Sequence, residues 1–477
     1  MLSKMKLTKN NFIDLVLVTF ILFLSWFVFF KGLGRYSLRL WDEGRNAINA
    51  LEMSKNGNLL VTNFNGEPEM WNTKPPLLIW IMNLSFKIFG ENELAIRLPS
   101  AISALIVVLA LYFWLKVFFK SCLVGFLASL IILSSMGFPD WHIGRTGDYD
   151  ALLTLLVFLA SIYFFRYIEF GWKRKDIFYS CLFFGLAILT KGVAGVLIVP
   201  GIFIYLLITR NLIKVIKDSN FWKCFFMLVL FVGSYYGIRE LLNNGYLIAV
   251  WKNEILRSVS LADTVKNDFW YYWKFFKEFR FQKWIYFAVI SLLSIFLTDD
   301  KKVKKLVIFY YVISISYFFI ISKSVSKNLW YDAQLYPFMS ILVAIFIYLL
   351  IKKSPLILRV FPILILVFYM QRYLRTNIAF ISRPDLDKEN SCLKYGYVFR
   401  NNAIDKTTIG VHEDFCTPLD FYLLKNGNKR KKIDQVLVGD KILSCEEKTL
   451  DLIDKKYKTE VVLKTEENCV VEIILKK

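Results

Sequence analysis

Histidine is nearly missing from this chain, with two in 477 residues. No two cysteines stand in CxxC spacing, and His142 has no spaced ligand partners, so a zinc centre is not expected. No HExxH or GxSxG run, Walker loop or dinucleotide-binding glycine fingerprint occurs. Energy from a nucleotide is therefore not indicated. Internal repeats and low-complexity linkers are also lacking. Carboxylates are outnumbered, 39 against 60 basic residues. That balance raises nucleic acid as a partner, but no basic-aromatic module is present and none is expected. The first apolar run, 12–30, has no small-residue cleavage site behind it, and reads as a retained span.

Apolar residues are abundant. They make up 56% of the chain, with 44 Phe, and come in blocks of roughly 15–20. The fold class is a polytopic α-helical membrane protein. Candidate spans are 12–31, 98–116, 121–138, 151–168, 177–190, 193–209, 223–242, 284–298, 306–321, 335–351 and 355–374, about eleven in all. Residues 77–89 are apolar but too short to cross, and read as an interfacial or re-entrant helix. After residue 377 the chain turns polar, with strand-like stretches at 435–438, 460–463 and 470–475. The division is a membrane catalytic domain, 1–376, with a first outer loop over 32–97, and a small α/β soluble domain, 377–477.

Lysine and arginine collect in short connectors at 116–120, 166–175, 210–223, 301–305 and 352–353. With the basic N-terminus inside, all of these fall on the cytoplasmic side. The same count sends the loops 40–76, 139–150, 190–192, 243–283 and 322–334 to the outer face, together with the C-terminal domain. The chemically interesting loops thus share one side of the membrane.

In the first loop Asp42 precedes GRNAINALEMSKNG, whose apolar residues fall at near-helical spacing, with Gly57 as a C-terminal cap. Asp42 is read as a helix N-cap and as a general base at the mouth of a membrane cavity. Glu43 would stand beside it as a catalytic partner and Arg45 as a substrate contact. Lys74 is held extended before a double proline, suited to a phosphate or to snorkelling at the interface. The second loop carries Arg145, Asp148 and Asp150. The two aspartates could orient a sugar or hold a divalent cation, and Asp150 could simply cap a helix. Lys191 sits in a tight turn and needs an anionic partner, for which a lipid phosphate is natural. Lys327, Trp330 and Tyr331 could bind phosphate and stack on a sugar ring, or belong to an aromatic interface belt. Cys122, Cys181 and Cys224 are read as packing residues. Cys392, Cys416, Cys445 and Cys469 allow two disulfides on an oxidising face, with the pairing open.

The run WDEGRNAINALEMSKNG…FNGEPEMWNTKPPLLIW…FGENELAIRLPSAI, followed by GRTGDYDALLTLLVFLA, LTKGVAG and SKNLWYDAQLYP, resembles the bacterial aminoarabinose transferases. Their wider kin are the dolichyl-phosphate-mannose protein mannosyltransferase-like enzymes of the GT-C class. The resemblance covers about residues 40–340. It implies an inverting transfer of a sugar from a polyprenyl-phosphate carrier to a glycolipid, glycan or protein on the periplasmic face of the bacterial inner membrane. It also implies Asp42 as the base, Lys74 beside the carrier phosphate, and Asp150 opening the helix after the second outer loop. Lys191 and Lys327 correspond less closely. The resemblance specifies no cofactor, and a divalent cation stays open. The alternative is a transporter or flippase of lipid-linked glycans. Such proteins place charge within spans, whereas here polar residues gather at one face.

Overall fold

The computed structural model describes residues 9–140, 142–256, 268–355, 360–381 and 390–476. The N-terminal lysines at 4 and 6, Trp141, and 257–267 of the long outer loop lie outside the described residues.

Among the described residues, seven helices are long and apolar enough to cross a membrane: Phe12–Phe30, Glu93–Phe119, Asp150–Glu169, Arg174–Val196, Ser219–Leu242, Lys301–Lys323 and Leu335–Lys353. Three of the expected spans, 121–138, 193–209 and 284–298, form shorter helices, and part of the expected span 355–374 lies outside the described residues. Leu77–Phe89, Cys122–Ser134, Val199–Ile208 and Trp284–Ile295 are apolar but shorter. The cause is local. The helix from Cys122 stops where Ser134, Ser135 and Gly137 follow, and Gly192, Gly195 and Pro200 divide the expected span 193–209 into a 3-10 turn and a short helix. Asp150–Glu169 and Leu335–Lys353 are buried over 83% and 78% of their apolar windows and form the centre, while Ser219–Leu242 is buried over 11% and lies outside.

At the end of the bundle carrying the basic connectors, acids within the helices are paired. Lys305 lies 2.6 Å from Glu169, Arg166 3.1 Å from Asp176, and Lys116 bonds Asp14. Such pairing offsets the cost of charge near lipid.

Beyond the last described helix of the bundle, Val360–Ile381, a mixed domain follows. Its five-stranded sheet runs Arg430–Lys431, Ile409–Val411, Lys441–Ser444, Val470–Lys476, Lys458–Lys464 in spatial order. The first three strands are parallel and the last two join antiparallel. The expected strand at 435–438 is corrected: Ile433–Gln435 is a 3-10 turn, and the strand begins at Lys441, after the Val438–Gly439 turn. The cysteines pair as Cys392–Cys416 and Cys445–Cys469, while Cys122, Cys181 and Cys224 are free.

Candidate active site

The first outer loop folds as the helix Asp42–Asn56, closed by Gly57 at φ 71°. Asp42 is its first residue, and the capping position belongs to Trp41, so the N-cap expectation is displaced by one. Two acids in the first turn meet the positive end of the helix dipole favourably. Asp150 likewise opens its helix, after Tyr149.

The loops are stitched together by buried amides. Asn46 donates to the Gly147 carbonyl (2.9 Å), and Asn72 donates to Asn46 Oδ1 (3.1 Å) and Tyr149 Oη (3.2 Å). This sets Asp42 against the second loop. One carboxylate oxygen each from Asp42 and Asp148 and a ring nitrogen of His142 lie within 4.8 Å of one another. His142 Nδ1 is 3.5 Å from Asp148 Oδ2, and its ring stacks on Trp330 at 3.8 Å. Burial would depress the imidazole, but the Asp148 carboxylate raises it to about 8. Burial lifts Asp148 to about 6 against the opposing pull of His142. Two carboxylates and an imidazole make a donor set that a divalent cation fits. The cation pairing expected from Asp148 and Asp150 is corrected, because Asp150 is engaged elsewhere.

Its partner is Lys191. The ammonium lies 2.6 and 2.8 Å from the two Asp150 oxygens, both side chains being buried. Lys191 is the last residue of the helix Arg174–Lys191 rather than part of a loop, and its anionic partner is a protein carboxylate instead of the lipid phosphate expected. Beside this pair opens a cavity of about 270 Å³, lined by Lys74, Asp150, Lys191, Glu254, Tyr317 and Tyr331 among others. Lys74 donates to Asn72 Oδ1 at 2.9 Å and stands 3.8 Å from Glu254. Lys191 also lies over the Tyr331 ring at 5.3 Å.

The remaining candidates sit apart from the cavity. Glu43 is fully buried and bonded to Arg97 at 2.7 and 2.9 Å, and accepts from the backbone N–H of Arg39 and Gly147. Burial would raise its carboxyl, but Arg97 and these donors hold it below the usual range. Its place is that of a brace, and both of its oxygens are occupied. Arg45 forks onto Glu69 (2.6 and 3.0 Å) between the rings of Phe64 and Trp71. Arg145 donates to the carbonyls of Val28 and Lys31, tying the second loop to the first span, and burial pulls it down to about 10. Lys327 donates to the Ser324 carbonyl and does not line the cavity, whereas Tyr331 does. Trp330 meets His142 rather than the cavity.

Sequence reasoning missed Glu254, which had no flanking motif within the long loop. It also missed Arg280, which binds Asp332 at 2.6 and 2.8 Å and Asp140 at 2.7 Å. A lone arginine just before an apolar helix was the available signal, since such a charge needs a partner. This network fastens the second loop to the segment bearing Trp330 and Tyr331.

Residues 73–236 match the family described as dolichyl-phosphate-mannose-protein mannosyltransferase. That match covers about a third of the chain, from the first outer loop into the helix Ser219–Leu242. The chain is 27% identical over 245 residues to the undecaprenyl phosphate-alpha-4-amino-4-deoxy-L-arabinose arabinosyl transferase 2 of Proteus mirabilis, covering 49% of this chain and 38% of that one. It is 32% identical over 207 residues to the corresponding transferase of Aeromonas hydrophila, covering 40% and 35%. The matches thus span less than half the length of these curated relatives. In fold it is similar to ArnT from Cupriavidus metallidurans bound to undecaprenyl phosphate, with a TM-score of 0.73, 16% identity and 98% of both chains covered. It is also similar to the archaeal oligosaccharyltransferase AglB from Archaeoglobus fulgidus, with a TM-score of 0.59, 12% identity and 87% and 64% of the chains covered.

Proposed function

We propose that this protein transfers a sugar from a polyprenyl-phosphate carrier to an envelope acceptor, with inversion, at the periplasmic face of a bacterial inner membrane. The observation carrying this reading is the cavity, where Lys74 and the Asp150–Lys191 pair stand beside the loop that presents Asp42. In the reaction the acceptor oxygen bonds to the anomeric carbon as the bond from that carbon to the phosphate oxygen breaks. Asp42 takes the acceptor proton, and the electron pair leaves with the polyprenyl phosphate. Lys74 exchanges its contact with Glu254 for the phosphate and offsets the developing charge. Asp150 keeps Lys191 fixed and charged in a buried position. The names of the relatives favour an amino sugar as cargo. The paired cysteines favour an oxidising compartment for the C-terminal domain.

The test compares envelope glycolipids and glycoproteins by mass spectrometry in cells with the wild type, a deletion and Asp42→Ala. The expected result is that one sugar mass leaves one acceptor in both mutants. A glycome altered by the deletion but untouched by Asp42→Ala would favour transport of a lipid-linked glycan instead.

A further inference from the structure

Trp41 directly precedes Asp42 and is 61% exposed. Its backbone lies at φ 66°, ψ −111°, a conformation that a bulky side chain rarely adopts. Burial of the indole does not account for this, since the ring faces outward. Its partner is Phe415 of the C-terminal domain, 43% exposed, with ring centroids 5.0 Å apart at 38°. A strained backbone beside a reactive group suggests a functional demand.

The pair is rigidly mounted. Thr417 packs so closely on Gly44 that a Cβ there would meet its Oγ1 at 2.3 Å, and Gly396 approaches Ser37 just as tightly. Tyr422 donates to Glu93 at 2.8 Å, and Arg400 pairs with Glu93 at 2.7 Å. The Cys392–Cys416 disulfide links the helices Ser391–Asn401 and Thr417–Asn426 that supply these contacts. Both rings of the pair remain open to solvent.

We infer that Trp41 and Phe415 form the platform on which a saccharide ring of the acceptor stacks. The inference rests on Asp42 being the base. An acceptor hydroxyl must come within about 3 Å of that carboxylate to lose its proton. Trp41 precedes Asp42 in the chain, and its exposed ring is offered to the group that bears that hydroxyl. Flat aromatic faces hold such a ring by its apolar C–H edge with little loss of side-chain freedom. The acceptor class is accordingly a glycan or glycolipid whose modified position lies on a sugar, and the C-terminal domain is part of its binding site.

The test uses the full chain, expressed in deletion cells, with transferred sugar measured by mass spectrometry relative to the amount of protein in the membrane. Trp41→Ala and Phe415→Ala are expected to lower transfer about three- to tenfold, the range of an aromatic contact. Trp41→Phe and Phe415→Tyr should restore it to within about twofold. Trp41→Leu and Phe415→Leu, apolar but without a ring, should stay low. Because both replacement sets are apolar or conservative, they decide the matter even where the alanine variants fail to accumulate. Leucine variants that match the aromatic ones would overturn the platform, leaving apolar packing or membrane anchoring. So would an acceptor modified on a group that is not a saccharide. Asp42→Ala inactive with the alanine variants at wild-type level overturns the platform alone. Asp42→Ala at wild-type level overturns the assignment of the base and the platform with it.

Discussion

Replacing Glu43 by methionine should cost stability before it costs chemistry. Glu43 and Arg97 are 0% and 1% exposed and face each other at 2.7 and 2.9 Å. Arg97 further donates to the carbonyls of Leu33 (2.9 Å), Tyr36 (2.9 Å) and Ser37 (2.7 Å). Removing the carboxylate strands a buried guanidinium, at about 3–5 kcal/mol. Arg97→Met strands the carboxylate and leaves those carbonyls without this donor, so its cost is at least as large. The double variant removes both charges and retains only the losses at the three carbonyls and at the N–H groups of Arg39 and Gly147, about 3–5 kcal/mol in total. The coupling between the two positions should therefore amount to several kcal/mol in favour of the double variant. Denaturant unfolding in detergent micelles, followed by circular dichroism, measures the cycle. Losses that add to within about 0.5 kcal/mol would refute the brace. Glu43→Gln with unchanged stability and abolished transfer would do so as well, and would restore a catalytic part for this carboxylate.

Asp42→Asn and Lys74→Ala should each lower transfer by at least about 100-fold at unchanged membrane abundance, as expected for losing a general base or a phosphate contact; transfer assays on solubilised protein check this. His142 and Asp148 both bind protons more tightly folded than unfolded. Their contributions to stability therefore fall with rising pH, for Asp148 as pH climbs from its ordinary range through about 6, and for His142 from about 6.5 through 8. Thermal unfolding across pH 6–9 should show the upper slope in the wild type and lose it in His142→Gln. Gly44→Ala should destabilise the docking of the C-terminal domain by about 1–3 kcal/mol, since its Cβ would meet Thr417. Thr417→Gly should relieve it, as read by proteolysis of that domain. Alkylation of unfolded protein should label Cys122, Cys181 and Cys224 without reductant, and Cys392, Cys416, Cys445 and Cys469 only after it.

What the sequence determined by itself was the solvent. Long apolar blocks separated by basic connectors admit a helical membrane bundle and little else, because backbone groups in lipid must be bonded within the segment. It also determined that a helix starts within one residue of Asp42, since an amphipathic run follows, and that Lys74 is held before prolines. It exposed the GDYD cluster, because charge at the end of an apolar helix is conspicuous. Interruptions were harder to see. Gly192, Gly195 and Pro200 break a span whose mean hydropathy hides the break.

Which charges remain available for chemistry was decided by the tertiary structure alone. Glu43 and Asp42 are neighbours in the chain, yet one is locked to Arg97, fifty-four positions away, and the other joins His142 and Asp148. Lys191 looks solitary in the sequence and is paired with Asp150. Glu254 and Arg280 lack any motif, and acquire meaning only where distant loops converge on them. The physical reason is that a buried charge is defined by its partner, and here the partners are brought together by helix packing rather than by chain order.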